Sequence, residues 1–257
     1  MSDKPNFVLV PDEQATPDLP GPGRGALTVL GRLRALATAL LPGQGGAVAV
    51  SDRTEPTRPR LVFGFDATAS REPAWAVARQ VTDALVRALP GELDVALAVH
   101  GGSWLHTFTD FTANPATLRD RAAAIECIAG RTQMLPILSR ALAAPGVRVV
   151  IYIGDVFEES PGRGRKLADA MGQAGIKLFV LHDVADWIAR RDGDLFADLA
   201  HRTGGCVLPF DATAPARLRE LLAAVAVYAV GGTALLEEKR KEMPGAVVLL
   251  RHLGGGG

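Results

Sequence analysis

The sequence predicts an α/β domain: a doubly wound, mostly parallel sheet with one antiparallel edge hairpin and helices on both faces. Three observations predict it. Apolar runs of five to seven residues recur at 61–65, 147–153, 176–181 and 206–210, short and continuous like strands buried on both faces of a parallel sheet. Stretches of helical period separate them. A further pair of runs is joined by little more than Gly101-Gly102, a connection that suits an antiparallel hairpin.

Composition agrees with a packed domain. Of 257 residues, 48% are hydrophobic and 22% charged, which is globular and not disordered. Lys+Arg and Asp+Glu are 28 each, so no global field draws in nucleic acid or an anionic membrane. Cys127 and Cys206 are the only cysteines, too few for a disulfide framework, and a reducing cytoplasmic setting is expected. The start of the chain lacks the basic, apolar and small-residue order of a targeting segment. The longest apolar run, 221–236, is sixteen positions broken by Gly231-Gly232. A membrane span needs about 20, so a buried helix is expected there and no membrane span.

In order along the chain, residues 1–25 hold five prolines and no hydrophobic period, and predict a flexible tail. Leu27, Leu30, Leu33, Leu36 and Leu40 make one face of a helix that Pro42-Gly43 stops. Residues 26–57 are thus an N-terminal helical extension and linker. The main domain is expected over 58–230. Its first strand ends at Asp66, and a helix over 72–89 follows, with Ala74, Val77, Ala78, Val81, Leu85 and Ala88 on its buried face and Pro90-Gly91 closing it. Residues 94–99 and 104–108 form the hairpin. Helices around 116–127 and 133–143 precede the strand 147–153, which ends at Gly154-Asp155. Then come a helix, strand 176–181, helix 186–201, strand 206–210 and a last helix from 216. Residues 231–257 are expected as a C-terminal extension with a glycine-rich end.

Ligands of such a sheet bind at the carboxyl ends of the strands, where strand order reverses. Asp66 and Asp155 both stand at strand ends. Two carboxylates about 4 Å apart repel by roughly 4 kcal/mol at an effective dielectric of 20, so a shared proton, an arginine or a hard cation must offset them. Hydroxyls at Thr68, Ser70 and Thr132 favour the cation, because Mg²⁺ takes oxygen ligands and keeps some of its waters. The bland alternative is that Asp66, Thr68 and Ser70 only form a turn, and Thr132 only caps its helix. Glu158 and Glu159 read as a solvated loop, with tuning of the site or a basic partner as the alternative, and Arg163, Arg165 and Lys166 as a solvated basic face, with an acidic partner as the alternative.

Phe65-Asp66-Ala67-Thr68-Ala69-Ser70, then Thr132, then Ile151-Tyr152-Ile153-Gly154-Asp155 together resemble the von Willebrand factor A domain over roughly residues 58–230. That family carries a metal-ion-dependent adhesion site: Asp-x-Ser-x-Ser, a distant Thr and a distant Asp. The resemblance implies an intracellular bacterial type of this domain, with Thr68 and Ser70 as direct ligands of Mg²⁺ or Mn²⁺. Thr132 would be a third, direct or through water, and Asp66 and Asp155 would hold coordinated waters. It also implies a protein partner that presents Asp or Glu, such as an AAA+ ATPase or stress-response assembly, and no nucleic acid. The chain departs from the pattern in three places: Thr68 stands for Ser, Arg131 for the second Gly of Gly-Gly-Thr, and Val156 for the Gly after the distant Asp.

An enzyme reading uses the same acids. Haloacid dehalogenase-type phosphatases place a nucleophilic Asp after the first strand, here Asp66, and magnesium-binding acids after a later one. That chemistry also needs a cation for the transferring phosphoryl group, usually Lys. The lysines are at 4, 166, 177, 239 and 241, none between the two motifs. No Gly-x-Ser-x-Gly elbow, phosphate-binding glycine loop or dinucleotide fingerprint occurs.

Overall fold

Buried β-branched and aromatic residues build the centre of the sheet. The computed structural model describes residues 56–183 and 187–254, the backbone alone at 187–190. The expected N-terminal tail, the 26–41 helix and all but the last residues of its linker lie outside them.

Among the described residues six strands form one sheet: β1 (Arg60–Asp66), β2 (Asp94–Gly101), β3 (Trp104–Phe108), β4 (Val147–Gly154), β5 (Lys177–His182) and β6 (Cys206–Pro209). Their order is β3-β2-β1-β4-β5-β6. Only β2 and β3 pair antiparallel; the other four pairings are parallel. This is the doubly wound mixed sheet that the sequence predicts, and its order reverses between β1 and β4.

Alternation along the strands sorts side chains into two layers. Leu61, Phe63 and Phe65 join Val95, Leu97 and Val99 in one core. That layer is covered by α1 (Glu72–Val81), α2 (Ala84–Arg87), α3 (Pro115–Ala123), α7 (Pro215–Lys239) and α8 (Pro244–Gly254). Val62, Val150, Tyr152, Leu178 and Val180 face the other way, under α4 (Met134–Ala143), α5 (Pro161–Gln173) and α6 (Trp187–Arg202). Full burial of each such side chain contributes about 1.5–3 kcal/mol.

Two elements differ from expectation. The helix expected over 72–89 is interrupted at Thr82 and Asp83 into α1 and α2, where the backbone stays helical but Leu85 and Val86 donate only three residues back. Thr82 donates its hydroxyl back to Arg79 O, and Asp83 accepts from Arg87, Arg119 and Arg219, two of them on other helices. The helix expected to reach Cys127 stops at Ala123. Beyond residue 230, α7 continues past a reversal at Gly232, whose φ of 63° is a conformation that suits glycine. Arg148 Nη1 donates to the Val230 carbonyl at this bend. Leu236, Ala246 and Leu249 belong to the same core as β1, so residues 231–254 pack onto the domain. By length and composition α7 could cross a membrane, but Leu218, Leu222, Val225 and Val227 of this helix are buried against the sheet layer.

Candidate metal centre

Strand register brings the aspartates together. Phe65 pairs with Ile153, so Asp66 lies abreast of Gly154 with Asp155 one residue beyond. Gly154 pairs with His182, and Asp183 follows. Three aspartates thus end three adjacent strands, at the point where strand order reverses.

Asp66 is wholly buried. Its Oδ1 accepts the Thr68 N–H at 2.9 Å, the turn bond of an Asp two residues ahead. Its Oδ2 is buried and has no hydrogen-bond partner among the described residues. Below it, His100 Nδ1 is 3.7 Å from Asp66 Oδ1 and also without a partner, while His100 Nε2 lies 2.8 Å from the Tyr152 hydroxyl. Burial raises the Asp66 pKa, and the charge of Glu158 adds to this against the Thr68 N–H and Arg71. Burial holds His100 neutral, with a pKa lowered to about 3.

The hydroxyls sit on the next turn. Thr68 Oγ1 and Ser70 Oγ are 3.4 Å apart; Thr68 is buried and Ser70 exposed. Arg71 ends the short 3₁₀ turn Ala69–Arg71. Its guanidinium, with 5% of the side chain exposed, is 3.5 Å from Asp155 Oδ2 and 2.8 Å from Asp183 Oδ2. Burial raises the Asp155 pKa; Arg71 opposes this and Asp66 reinforces it.

Thr132 is bonded to Glu158. Its N–H donates to Glu158 Oε2 at 2.8 Å and its Oγ1 accepts the Glu158 N–H at 3.1 Å. The loop that carries it lies tight on the β2–β3 turn. A Cβ at Gly130 would come within 2.5 Å of the Ser103 backbone, and the Arg131 N–H donates to Ser103 Oγ. The Arg131 side chain is exposed and pairs with none of the site carboxylates.

Asp66, Thr68 and Ser70 thus share one turn, Arg71 of the same turn reaches Asp155 and Asp183, and Thr132 is bonded to Glu158, three residues past Asp155. Thr132 is not the cap of α4. Gln133 holds that position without a side-chain bond, and Glu159 supplies its carboxylate to Leu135 N–H at 2.8 Å. Glu158 and Glu159 thus bond to the start of α4, Glu158 remaining exposed as a loop residue and Glu159 half-buried. Arg71 and Asp183 were missed altogether. The rule that picked out Asp66 and Asp155, an aspartate just after a parallel strand, also picks out Asp183.

The residues fit a hard cation. Among the described residues no three His, Cys, Asp or Glu side chains form a cluster that could hold a metal ion; the oxygens of Asp66, Asp155, Thr68 and Ser70 are nonetheless of the hard kind that Mg²⁺ or Mn²⁺ takes. The buried, unpartnered Asp66 Oδ2 is an acceptor in want of a donor or a metal-bound water.

No family model matches the sequence, and no curated protein does. Solved structures match the fold. A von Willebrand factor type A protein from Catenulispora acidiphila superposes with a TM-score of 0.56 at 17% identity, over 68% of this chain and 43% of its own. The open form of the pilus adhesin SpaC from Lactobacillus rhamnosus GG gives 0.53 at 11%, over 69% and 31%. Proximal thread matrix protein 1 from the mussel byssus, with a zinc-occupied MIDAS motif, gives 0.50 at 14%, over 66% and 46%. This chain spans less than half the length of these three proteins. Its fold is that of the von Willebrand factor A domain.

Proposed function

We propose that this chain is a metal-dependent protein–protein interaction module, an adaptor that binds an acidic residue of its partner through Mg²⁺ or Mn²⁺. The observation that supports this most is the buried, unpartnered Asp66 Oδ2 set beside two hydroxyls and a second carboxylate at the reversal of strand order. Thr68 and Ser70 would hold the cation directly, Thr132 directly or through water, and Asp66 and Asp155 through coordinated waters. When bound, the cation would supply an open vertex for the carboxylate of an Asp or Glu.

The chain's own residues set the terms of that contact. The Thr68 N–H fixes the Asp66 carboxylate, and exposed Ser70 puts its hydroxyl at the rim where a partner arrives. Thr132 is held by two bonds to Glu158, so a shift of either would move both. The mussel protein with metal in its motif supports a divalent ion by analogy of fold. Partners of AAA+ ATPase or stress-response type belong to the same proposal. So does a cytoplasmic setting, which two free thiols, both pushed up to about 12 by burial, would suit.

The test is retention of partner proteins on the immobilised chain in Mg²⁺, with and without a chelator. The proposal expects release by the chelator with the far-ultraviolet circular dichroism unchanged. Retention that persists in the chelator and in Asp66→Ala contradicts it.

A further inference from the structure

We infer that Arg71 is a built-in rival of the divalent cation: its guanidinium neutralises Asp155 in the structure described here, and loading the site requires it to retreat towards Asp183. The inference rests on the metal-binding reading above and names how that site is regulated. Adjacent carboxylates need a counter-charge, and this chain supplies its own, because Arg71 lies between the aspartates that follow β4 and β5. The charge is permanent, since arginine does not lose its proton in proteins.

The two contacts are unequal. The bond to Asp183 is 2.8 Å, within the range of a strong charge-assisted bond, while the approach to Asp155 is 3.5 Å. Arg71 Nε is buried and has no partner among the described residues, so none of them locks the guanidinium by its full set of five donors. Moving off Asp155 sacrifices the weaker contact and keeps the stronger. Arg71 also sits on the same turn as Ser70 and directly follows it, so its position is tied to that of a proposed ligand. The Asp183 N–H donates to the Gly154 carbonyl at 3.1 Å, which ties its backbone to the end of β4. Asp183 is therefore a berth for the displaced guanidinium, next to the site but not part of the donor set.

The test is calorimetric titration of Mg²⁺ into metal-stripped full chain for the wild type, Arg71→Gln, Arg71→Met and, as a control for net charge, Arg251→Gln on α8. Both Arg71 variants are expected to bind about tenfold or more tightly than wild type, with Arg251→Gln unchanged. Binding by the variants alone also supports the inference. Equal or weaker binding by the Arg71 variants beside a wild type that binds overturns it and leaves the interaction-module reading standing. Absence of binding in every protein overturns both. Thermal melts check that the variants fold. A readout on the wild type itself guards against their failure: the Arg71 Nε–H resonance of ¹⁵N-labelled protein should shift as Mg²⁺ is added. A resonance that does not move overturns the inference.

Discussion

Tyr152→Phe tests the floor of the site. The Tyr152 hydroxyl and His100 Nε2 are 2.8 Å apart, both residues are fully buried, and His100 is neutral at pH 7 because its pKa is about 3. The pair is thus a neutral hydrogen bond, whose net contribution is about 1 kcal/mol. Removing one partner has a larger effect than that mean, because the other is left buried and unpaired at a penalty of about 1–3 kcal/mol. His100 Nδ1 is already unpartnered, so the variant leaves a ring with neither nitrogen satisfied. A loss of about 2 kcal/mol is expected in urea unfolding of the full chain, read as a shift of midpoint at constant slope. His100→Leu strands the Tyr152 hydroxyl in the same way, so the double variant should be more stable than the sum of the singles predicts by about 1 kcal/mol. A change below about 0.5 kcal/mol in Tyr152→Phe, or strict additivity in the double variant, would refute the reasoning.

His100 also predicts acid sensitivity. Its folded pKa of about 3 lies below the ordinary value, so between the two the unfolded state binds the extra proton and stability falls as pH drops below about 6.5; His100→Leu should lose this part of the acid limb. Glu159 has the opposite sign. Burial lifts its pKa to about 7 against the Leu135 and Met134 N–H bonds, so the folded state holds the extra proton and stability is lost as pH rises from about 4.5 to 7. Glu159→Gln should be more stable than wild type at pH 8, by about 1–2 kcal/mol after solvent screening, and the gap should close by pH 4.5. At Asp83 burial raises the pKa, but the bonds from Arg87 and Arg119 and the charges of Arg219 and Arg87 outweigh it and the net direction is down. Its contribution is present above the unfolded pKa of about 3.9 and lost as pH falls through the folded value. Asp83→Asn should cost about 1–2 kcal/mol at pH 7 because its partners are half exposed and screened, measured by urea unfolding.

The strands were legible because burial on both faces leaves a local mark. Phe63 and Val62 point to opposite layers, so both must be apolar, and the run 61–65 shows it without any knowledge of neighbours. The break at Asp83 left no such mark. Residues 72–89 keep a helical period throughout, and the arginines that meet Asp83 at the interruption, Arg119 and Arg219, come from other helices. The same holds at the site. Asp66, Thr68 and Ser70 could be read together because they share one turn. Arg71 could be found only through partners 84 and 112 residues away, and the bonds between Thr132 and Glu158 span 26. A sequence that predicts a missing counter-charge does not say whether a metal or an arginine supplies it. Here the arginine is in place and Asp66 Oδ2 is still unpartnered.

The most direct test of the central claim is calorimetric titration of Mg²⁺ into the metal-stripped full chain, beside Ser70→Ala, Thr132→Ala and Asp66→Ala. The account predicts binding by the wild type that weakens in all three variants, because each contributes to one shared coordination sphere. Binding that is unchanged in Ser70→Ala and Thr132→Ala but lost in Asp66→Ala would contradict it and favour a phosphatase-like use of Asp66.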